Sequence, residues 1–382
     1  CLELGKPILK IETTNIKEIF DKHTNEKSVS LDDYVRLKTI ELGKTLENRK
    51  AIYLDQRYWI IIRDVNLGRI ADSSSKELFN IIHKMVSDGK VFCPISETVF
   101  MELLKQQDLH TRKATAEIID NLSLGVTLAP EKIRVGTELA HFFYSFNAPN
   151  HLYPLKILVW SKLSYVLGIV HPSNTFFNFE QELVLQKAFF DFMWNMQLIQ
   201  LVDTLGDAHA SPNNFNEIAE KINIESAIYS SEVNNFKDVY NNEISGALSL
   251  YIEVAKEIME NMFVKNSELE IPRSDDGKIF ERELLGFLIN LFDKTNIAKQ
   301  LPTLHITTCC HAAVRWDKKR KLKGNDLYDF HHAAAALAYC DAFFTEKPLQ
   351  SFLKQNHIAL DRLFECEIIS AVHEAVAFLR KI

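Results

Sequence analysis

The sequence predicts an α/β protein in which a parallel sheet is flanked by helices and interrupted by a large, all-helical insertion. The chain has 382 residues, of which 47% are hydrophobic and 25% charged, the balance of an ordinary globular protein. It contains only 12 glycines, which favours long helices over many short strands joined by tight turns. Short apolar runs alternate with helical periodicity in two regions of the chain, and this alternation is typical of a parallel sheet.

These patterns divide the chain into four segments. They are an N-terminal helical segment (1–49), the first part of the α/β domain (50–130), a helical insertion (131–299) and the second part of that domain (300–382). In the first segment, Ser30 followed by Asp33 is typical of a helix N-cap.

The first part of the α/β domain reads as strand, helix, strand, helix. Residues 51–54 are an apolar run that ends in Asp55 and precedes a helix. Residues 73–86 carry apolar side chains on one helical face, and residues 91–95 are a second apolar strand. Ser96 is then expected to cap the next helix.

The insertion shows helical periodicity and few strand signals. We expect helices over 155–167, 180–205 and 227–263, and a further helix that opens at Ser211 and Pro212. The aromatic and aliphatic stripe of the last long helix is interpreted as core.

In the second part of the α/β domain, predicted helices and strands alternate again. Its predicted elements are a helix over 302–317, a basic loop, an Ala-rich helix over 328–339, a strand over 342–345, a short helix over 351–355, a strand over 367–370 and a helix over 371–379.

Carboxylates collect where predicted strands end or the next helices begin. They are Asp55, Glu97, Glu102, Asp326, Asp329 and Glu346. Ligands bind outside the carboxyl ends of strands in an open parallel sheet, and crowded carboxylates resist ionising unless a cation lies among them. Each has a structural alternative: Asp326 can cap its helix, and Glu97 can be a first-turn acid. Asp341 precedes its strand, so we interpret it as structural.

Three stretches resemble the PIN and PIN-like nuclease family. The first is YLDQRYWI (53–60), where a strand ends in Asp before an aromatic-rich helix. The second is PISETVFMELL (94–104), with a Glu on the helix after the second strand. The third and most specific is NDLYDFHHAAAALAYCDAFFTE (325–346), which joins an acid, an Ala-rich helix and a strand that ends in Thr.

The resemblance implies a PIN-like fold and a metal-dependent endoribonuclease. It places the metal-binding acids at Asp55, Glu102 and Asp329, with Glu346 as the fourth and Glu97 or Asp326 nearby. Mg²⁺ or Mn²⁺ is the implied cofactor, because hard divalent cations prefer oxygen ligands. Products with 5′-phosphate and 3′-hydroxyl ends are implied as well. Roles as a toxin, as a phage-defence effector or in RNA processing remain open.

A cationic run precedes the third motif. Arg315, Lys318, Lys319, Arg320, Lys321 and Lys323 surround one acid, Asp317, in a chain whose net charge is −7. Such a run beside a carboxylate cluster suits a phosphodiester backbone, and Arg57 is a further candidate phosphate contact. The alternative is a solvated surface loop.

The composition of the sequence limits the cell compartments and the binding partners that we expect for this protein. Six cysteines without a CxxC pair indicate neither a disulfide scaffold nor a zinc knuckle, which favours a reducing cytoplasm. The sequence as given opens without a signal-like segment and lacks a membrane-span pattern, so we expect a soluble protein. RNA is the expected partner and DNA a less favoured one. The insertion offers a surface for a partner protein or a second copy.

The sequence leaves two other functions open. A structure-selective DNA nuclease would use the same acids, because RNA and DNA present the same phosphates. A non-catalytic PIN-like interaction protein would instead use the insertion for docking.

Overall fold

The computed structural model describes residues 13–25, 28–147, 152–206, 215–228, 235–266, 276–294 and 297–382. It shows a four-stranded parallel sheet covered by helices, which confirms the α/β class. No helix within these ranges combines the length and apolar character needed to cross a membrane.

The elements before residue 148 are α1 (Thr13–Asn25), α2 (Leu31–Leu46), β1 (Lys50–Leu54), α3 (Gln56–Asn66), α4 (Ser73–Ser87), β2 (Val91–Phe92), α5 (Glu97–Leu104), α6 (Leu109–Ser123), β3 (Val126–Leu128) and α7 (Glu131–Asn147).

The middle of the chain holds α8 (Leu155–Leu158), β4 (Trp160–Lys162), a 3₁₀ turn (Leu163–Tyr165), α9 (Phe179–Trp194), α10 (Leu198–Leu205), α11 (Phe215–Ile228), α12 (Phe236–Leu250), α13 (Ile252–Asn266), α14 (Asp276–Lys294) and a second 3₁₀ turn (Ile297–Lys299).

The C-terminal part holds α15 (Pro302–Trp316), α16 (Gly324–Tyr339), β5 (Ala342–Phe344), α17 (Lys347–Leu353), α18 (Leu360–Leu363), β6 (Glu367–Ile369) and α19 (Val372–Leu379). The four strands of the main sheet lie where the sequence places them, whereas β3, β4, α6 and α18 are additions, and α17 begins before the predicted helix over 351–355.

The sheet has the order β2-β1-β5-β6, so its central pair joins the two parts of the α/β domain across the insertion. Tyr53 of β1 lies beside Phe343 of β5, which lies beside Ile368 of β6. All three side chains are buried, as expected for strands covered by helices on both faces.

Of the two side-chain N-caps predicted at Ser30 and Ser96, the structure confirms the first, and it adds one at Asp55. The Ser30 side chain accepts a hydrogen bond from the backbone N–H of Asp33, which confirms the cap of α2. Asp55 caps α3 by accepting from the backbone N–H of Tyr58. Ser96 occupies the N-cap position of α5, but its side chain makes no cap hydrogen bond.

The insertion is not all-helical, and the predicted helix over 155–167 is wrong. Helix α8 ends at Leu158, and β4 then pairs antiparallel with β3, with Trp160 opposite Leu128. Trp160 is buried against Phe92 in the main core. Helical periodicity could not reveal this strand because its pairing partner is distant in the sequence.

The other two long helices of the insertion are interrupted. The predicted helix over 180–205 is divided into α9 and α10, because the Asp120 carboxylate accepts from the backbone N–H groups of Leu198 and Ile199 and caps α10 there. The stretch over 227–263 holds parts of α11, α12 and α13, and residues 229–234 lie outside the described ranges. The helix start predicted at Ser211 and Pro212 also lies outside them.

Three hydrophobic clusters organise the packing of the described residues, the smallest of them formed by Tyr34, Tyr165 and Phe190. The main core surrounds the sheet and takes in β4 and parts of α10 and α11. A second core joins α7, α12, α13 and α14, with Ile244, Leu248 and Ala255 buried in it. This confirms that the apolar stripe of the insertion is core.

Helix α2 approaches α8 closely through Gly43. A Cβ at this position would overlap the backbone carbonyl of Ile157, so only glycine lets the two helices pack at this separation.

Gly43→Ala is therefore expected to lower the free energy of unfolding by about 1–3 kcal/mol, the usual cost of overpacking. Urea unfolding measures it. The control is Gly246→Ala on an exposed face of α12, where a Cβ meets nothing within 4 Å. That change should be neutral or stabilising by up to ~1 kcal/mol through helix propensity. Equal effects of the two substitutions would contradict the close approach.

Candidate functional site

The candidate site lies at the carboxyl edge of the two central strands. Leu54 pairs with Phe344, and the backbone N–H of Asp55 donates to the Phe344 carbonyl at 3.1 Å. Asp55 and Thr345 therefore follow their strands side by side, and the Thr345 hydroxyl hydrogen-bonds to the buried Asp55 carboxylate.

Three further carboxylates face this edge from different elements. Glu102 comes from α5, Asp329 from α16, and Glu346 from the N-cap position of α17. Burial contributes most to the raised pKa of Asp329, and the nearby charges of Asp326, Asp55 and Glu346 add to it. The structure thus brings Asp55 and Asp329 to the same edge, as the sequence predicts.

A buried histidine lies at the centre of these acids. His332 Nε2 is 3.0 Å from Glu102 Oε2, and its Nδ1 is 2.8 Å from the Tyr53 hydroxyl. The Tyr53 hydroxyl is in turn 2.6 Å from Ser96 Oγ. This chain of hydrogen bonds explains why Ser96 does not cap α5.

The protonation of the site follows from burial and from the neighbouring charges. Burial raises the pKa of Asp55 to about 6, although the Thr345 hydroxyl opposes the shift. Burial also raises the pKa of Asp329 to about 7, with His332 opposing it and Asp326 and Asp55 adding to it. Burial lowers the pKa of His332, but Glu102 and the other acids outweigh that effect and raise it above its usual value.

Glu97 belongs to a neighbouring polar cluster. Its Oε1 accepts from the backbone N–H of Glu131 at 3.1 Å, at the start of α7. Glu131 Oε2 lies 2.6 Å from His331 Nδ1, and Arg134 is buried nearby. Burial raises the pKa of Glu97, and Arg134 opposes that shift. The structure therefore gives Glu97 a capping role at the start of α7.

Asp326 and Asp341 are held by cations. Asp326 Oδ1 accepts from Arg320 Nη2 at 2.6 Å, and its Oδ2 accepts from the backbone N–H of Lys323 at 2.7 Å, so it caps α16. Asp341 lies at the opposite end of β5, 3.0 Å from Lys50 Nζ and 3.1 Å from Lys156 Nζ. This placement confirms the structural interpretation of Asp341.

Some of the basic side chains that are predicted to contact phosphate are bonded within the protein, and the others are exposed. Arg315 pairs with Glu243 at 2.7 Å, Arg320 pairs with Asp326, and Arg57 donates to the Ser370 carbonyl at 3.3 Å. The exposed ones are Lys318, Lys319, Lys321 and Lys323.

Sequence reasoning missed the central position of His332 and the part played by Tyr53. His332 lies one turn after Asp329 on α16, and that spacing was the available signal. Nothing in the local sequence indicates that Tyr53 and Glu102 meet at this histidine, because the three residues come from separate elements.

The donor set fits a hard divalent cation in its chemistry. It offers the carboxylate oxygens of Asp55, Glu102, Asp329 and Glu346, with His332 hydrogen-bonded to Glu102. Across the described part of the chain, however, no group of three or more His, Cys, Asp or Glu side chains is placed to hold a metal ion.

Comparison of the chain with protein-family profiles, curated proteins and solved structures finds no match in any of the three.

Asp329→Asn is expected to stabilise the metal-free protein, increasingly as pH rises. The Asp329 carboxyl has a pKa of about 7 in the folded state and of ~4 in the unfolded chain. Between these two pH values the folded state binds a proton that the unfolded chain has released. The free energy of unfolding of the unsubstituted protein therefore falls as the pH rises from about 4 to about 7. The gain from the substitution should reach roughly 2–4 kcal/mol above about pH 7.

Urea unfolding across this pH range, with a chelator present, makes the measurement. Asp341→Asn is the control of opposite sign. Burial alone would raise the pKa of Asp341, but Lys156 and Lys50 lower it, so the control should lose stability at neutral pH. A pH-independent effect at Asp329 would contradict the raised pKa.

Proposed function

We propose that this chain is a metal-dependent endoribonuclease that hydrolyses phosphodiester bonds at the carboxyl edge of β1 and β5. The observation that carries the proposal is the convergence of Asp55, Asp329 and Glu346 on one edge, although they come from three elements. Asp55 is buried, Asp329 is half-buried and Glu346 is exposed beside them. Within the described ranges neither Asp55 nor Asp329 forms an ion pair with a basic side chain, whereas buried charges are normally paired. The resemblance of the three sequence motifs to PIN-like nucleases supports RNA as the substrate.

Asp55, Asp329 and Glu346, with Glu102 beside them, would hold Mg²⁺ or Mn²⁺. The bound ion would supply an activated water and stabilise negative charge on the phosphoryl oxygens. The protein supplies a preorganised acidic edge, because Thr345 fixes Asp55 and His332 fixes Glu102.

His332 acts in this proposal as a positioning residue. Its ring is buried and bonded on both nitrogens, so it does not reach a substrate directly. Burial lowers the pKa of His332, but Glu102, Asp55 and Asp329 outweigh that effect, so the ring and the acids favour each other's charged forms.

Substrate would be held by the exposed lysines that precede α16. Lys318, Lys319, Lys321 and Lys323 are exposed, and the loop that carries them leads directly into the helix of Asp329. Such contacts grip phosphates without reading bases. The free thiols of the described cysteines, all five of them buried, fit a reducing cytoplasm.

Asp55→Asn, Glu102→Gln and Asp329→Asn are each expected to lower RNA cleavage by more than about 100-fold, since even outer partners of metal ligands cost ~10–100-fold. Labelled RNA and DNA of one sequence are incubated with Mn²⁺, and the fragment ends are mapped. Asp341→Asn is the matched control, because it removes the same group from the other end of β5.

Two outcomes would count against the proposal. Full activity in any of the three variants removes that residue from the site. A melting temperature that does not rise with Mn²⁺, together with no cleavage of either nucleic acid, favours a non-catalytic interaction protein. Cleavage of DNA alone reassigns the substrate and leaves the acids in place.

A further inference from the structure

A cavity of about 280 Å³ lies between α11, α12, α15 and the basic loop. Its apolar wall is formed by Ile222, Val314 and Leu322. The loop is fixed over it by Asn223, whose side chain donates to the Leu322 carbonyl and accepts from the Leu322 N–H, both at 2.9 Å. The cavity is therefore a shaped feature of the fold, at the small end of ligand pockets.

The charge of the lining is positive. Arg315, Lys318, Arg320 and Lys321 line the cavity, against the acids Glu243 and Asp317. Glu243 is engaged by Arg315 at 2.7 Å, and Asp317 Oδ1 accepts from the backbone N–H of Lys319 at 3.1 Å.

Several donors at the cavity lack a protein partner. Among the residues that the structure describes, neither Lys318 nor Lys321 lies within ion-pair distance of a carboxylate. Arg315 Nε is buried and has no hydrogen-bond partner within the described ranges. Buried donors are normally satisfied, and the two exposed lysines lie beside this one, so an anion with several acceptor oxygens is the ligand that complements the three cations.

One of the lining cations also contacts the acidic edge. Arg320 lines the cavity and donates from Nη2 to Asp326 at 2.6 Å. Asp326 lies on α16 one turn before Asp329 and raises its pKa. An anion that engages Arg320 would compete with Asp326 for the same guanidinium group.

We propose that this cavity binds a nucleoside monophosphate, with the phosphate on the cationic side and the nucleoside against the apolar wall, and that Arg320 is shared between this ligand and Asp326. The size suits a single nucleotide unit. Binding does not depend on the proposed nuclease activity, whereas any effect of the ligand on cleavage rests on it.

Calorimetry with adenosine 5′-monophosphate tests the binding in metal-free buffer, with adenosine as the probe that lacks phosphate. We expect the monophosphate to bind measurably and adenosine at least about 10-fold more weakly, since each charged hydrogen bond changes affinity by roughly that factor. Equal affinities, or no binding of the monophosphate, would overturn the site.

The double variant Lys318→Gln and Lys321→Gln should weaken binding of the monophosphate by about 10-fold or more. Lys319→Gln is the matched control, because Lys319 is exposed in the same loop but does not line the cavity. All three lysines are exposed, so folding should be unaffected. Equal losses in the double variant and in the control would assign the binding to diffuse loop charge and overturn the cavity.

Asp326→Asn tests the sharing of Arg320. Asparagine keeps an oxygen that can accept from the Lys323 N–H, but it releases the guanidinium, so the monophosphate should bind several-fold more tightly. Glu346→Gln removes a nearby negative charge without releasing Arg320 and controls for general electrostatics. Unchanged affinity in Asp326→Asn, or an equal gain in both variants, would show that Arg320 is not shared. Because the readout is binding, it separates this proposal from a failure of the nuclease assay.

Discussion

The parallel pairing of β1 with β5 is the constraint on which the rest of the structure depends. It joins two parts of the chain that a long insertion separates, and it sets Asp55 beside Thr345 at one edge of the sheet. Because parallel strands carry all their carboxyl ends to one side, the helices that follow them begin there. Glu346 therefore reaches the same edge, and α16 enters from the opposite direction with Asp329 near its start.

The two ends of β5 show opposite charge balances. At the amino end, Asp341 is matched by Lys50 of β1 and Lys156 of α8, so its contacts join the start of β5 to a neighbouring strand and a helix. At the carboxyl end, Asp55 is buried, Glu102 and Asp329 are half-buried and Glu346 is exposed, and among these four acids only Glu102 is bonded to a basic side chain within the described ranges, that of His332. A group that serves only stability is usually paired, so the uncompensated edge is where an external cation or a substrate would be accommodated.

The insertion does more than fill space between the two halves of the domain. Helix α11 fixes the basic loop through Asn223, and it approaches the start of α16 so closely that a Cβ on Gly324 would contact the Asn216 backbone nitrogen at 3.1 Å. Helix α12 supplies Glu243 to Arg315. The cationic side of the site is thus positioned by the insertion, and the acidic side by the sheet.

The sequence by itself determined the elements and the chemistry available to them. Apolar runs identified the four strands of the main sheet, the Ser30 cap located the start of α2, and the order of strand and acid predicted that Asp55 and Asp329 share one edge. The tertiary structure alone decided the strand β4, because its pairing with β3 comes from distant residues and not from local periodicity. It also decided which charges are engaged: His332 between Tyr53 and Glu102, and Arg320 with Asp326. Those partners come from separate turns and elements, and only packing brings them within hydrogen-bond distance.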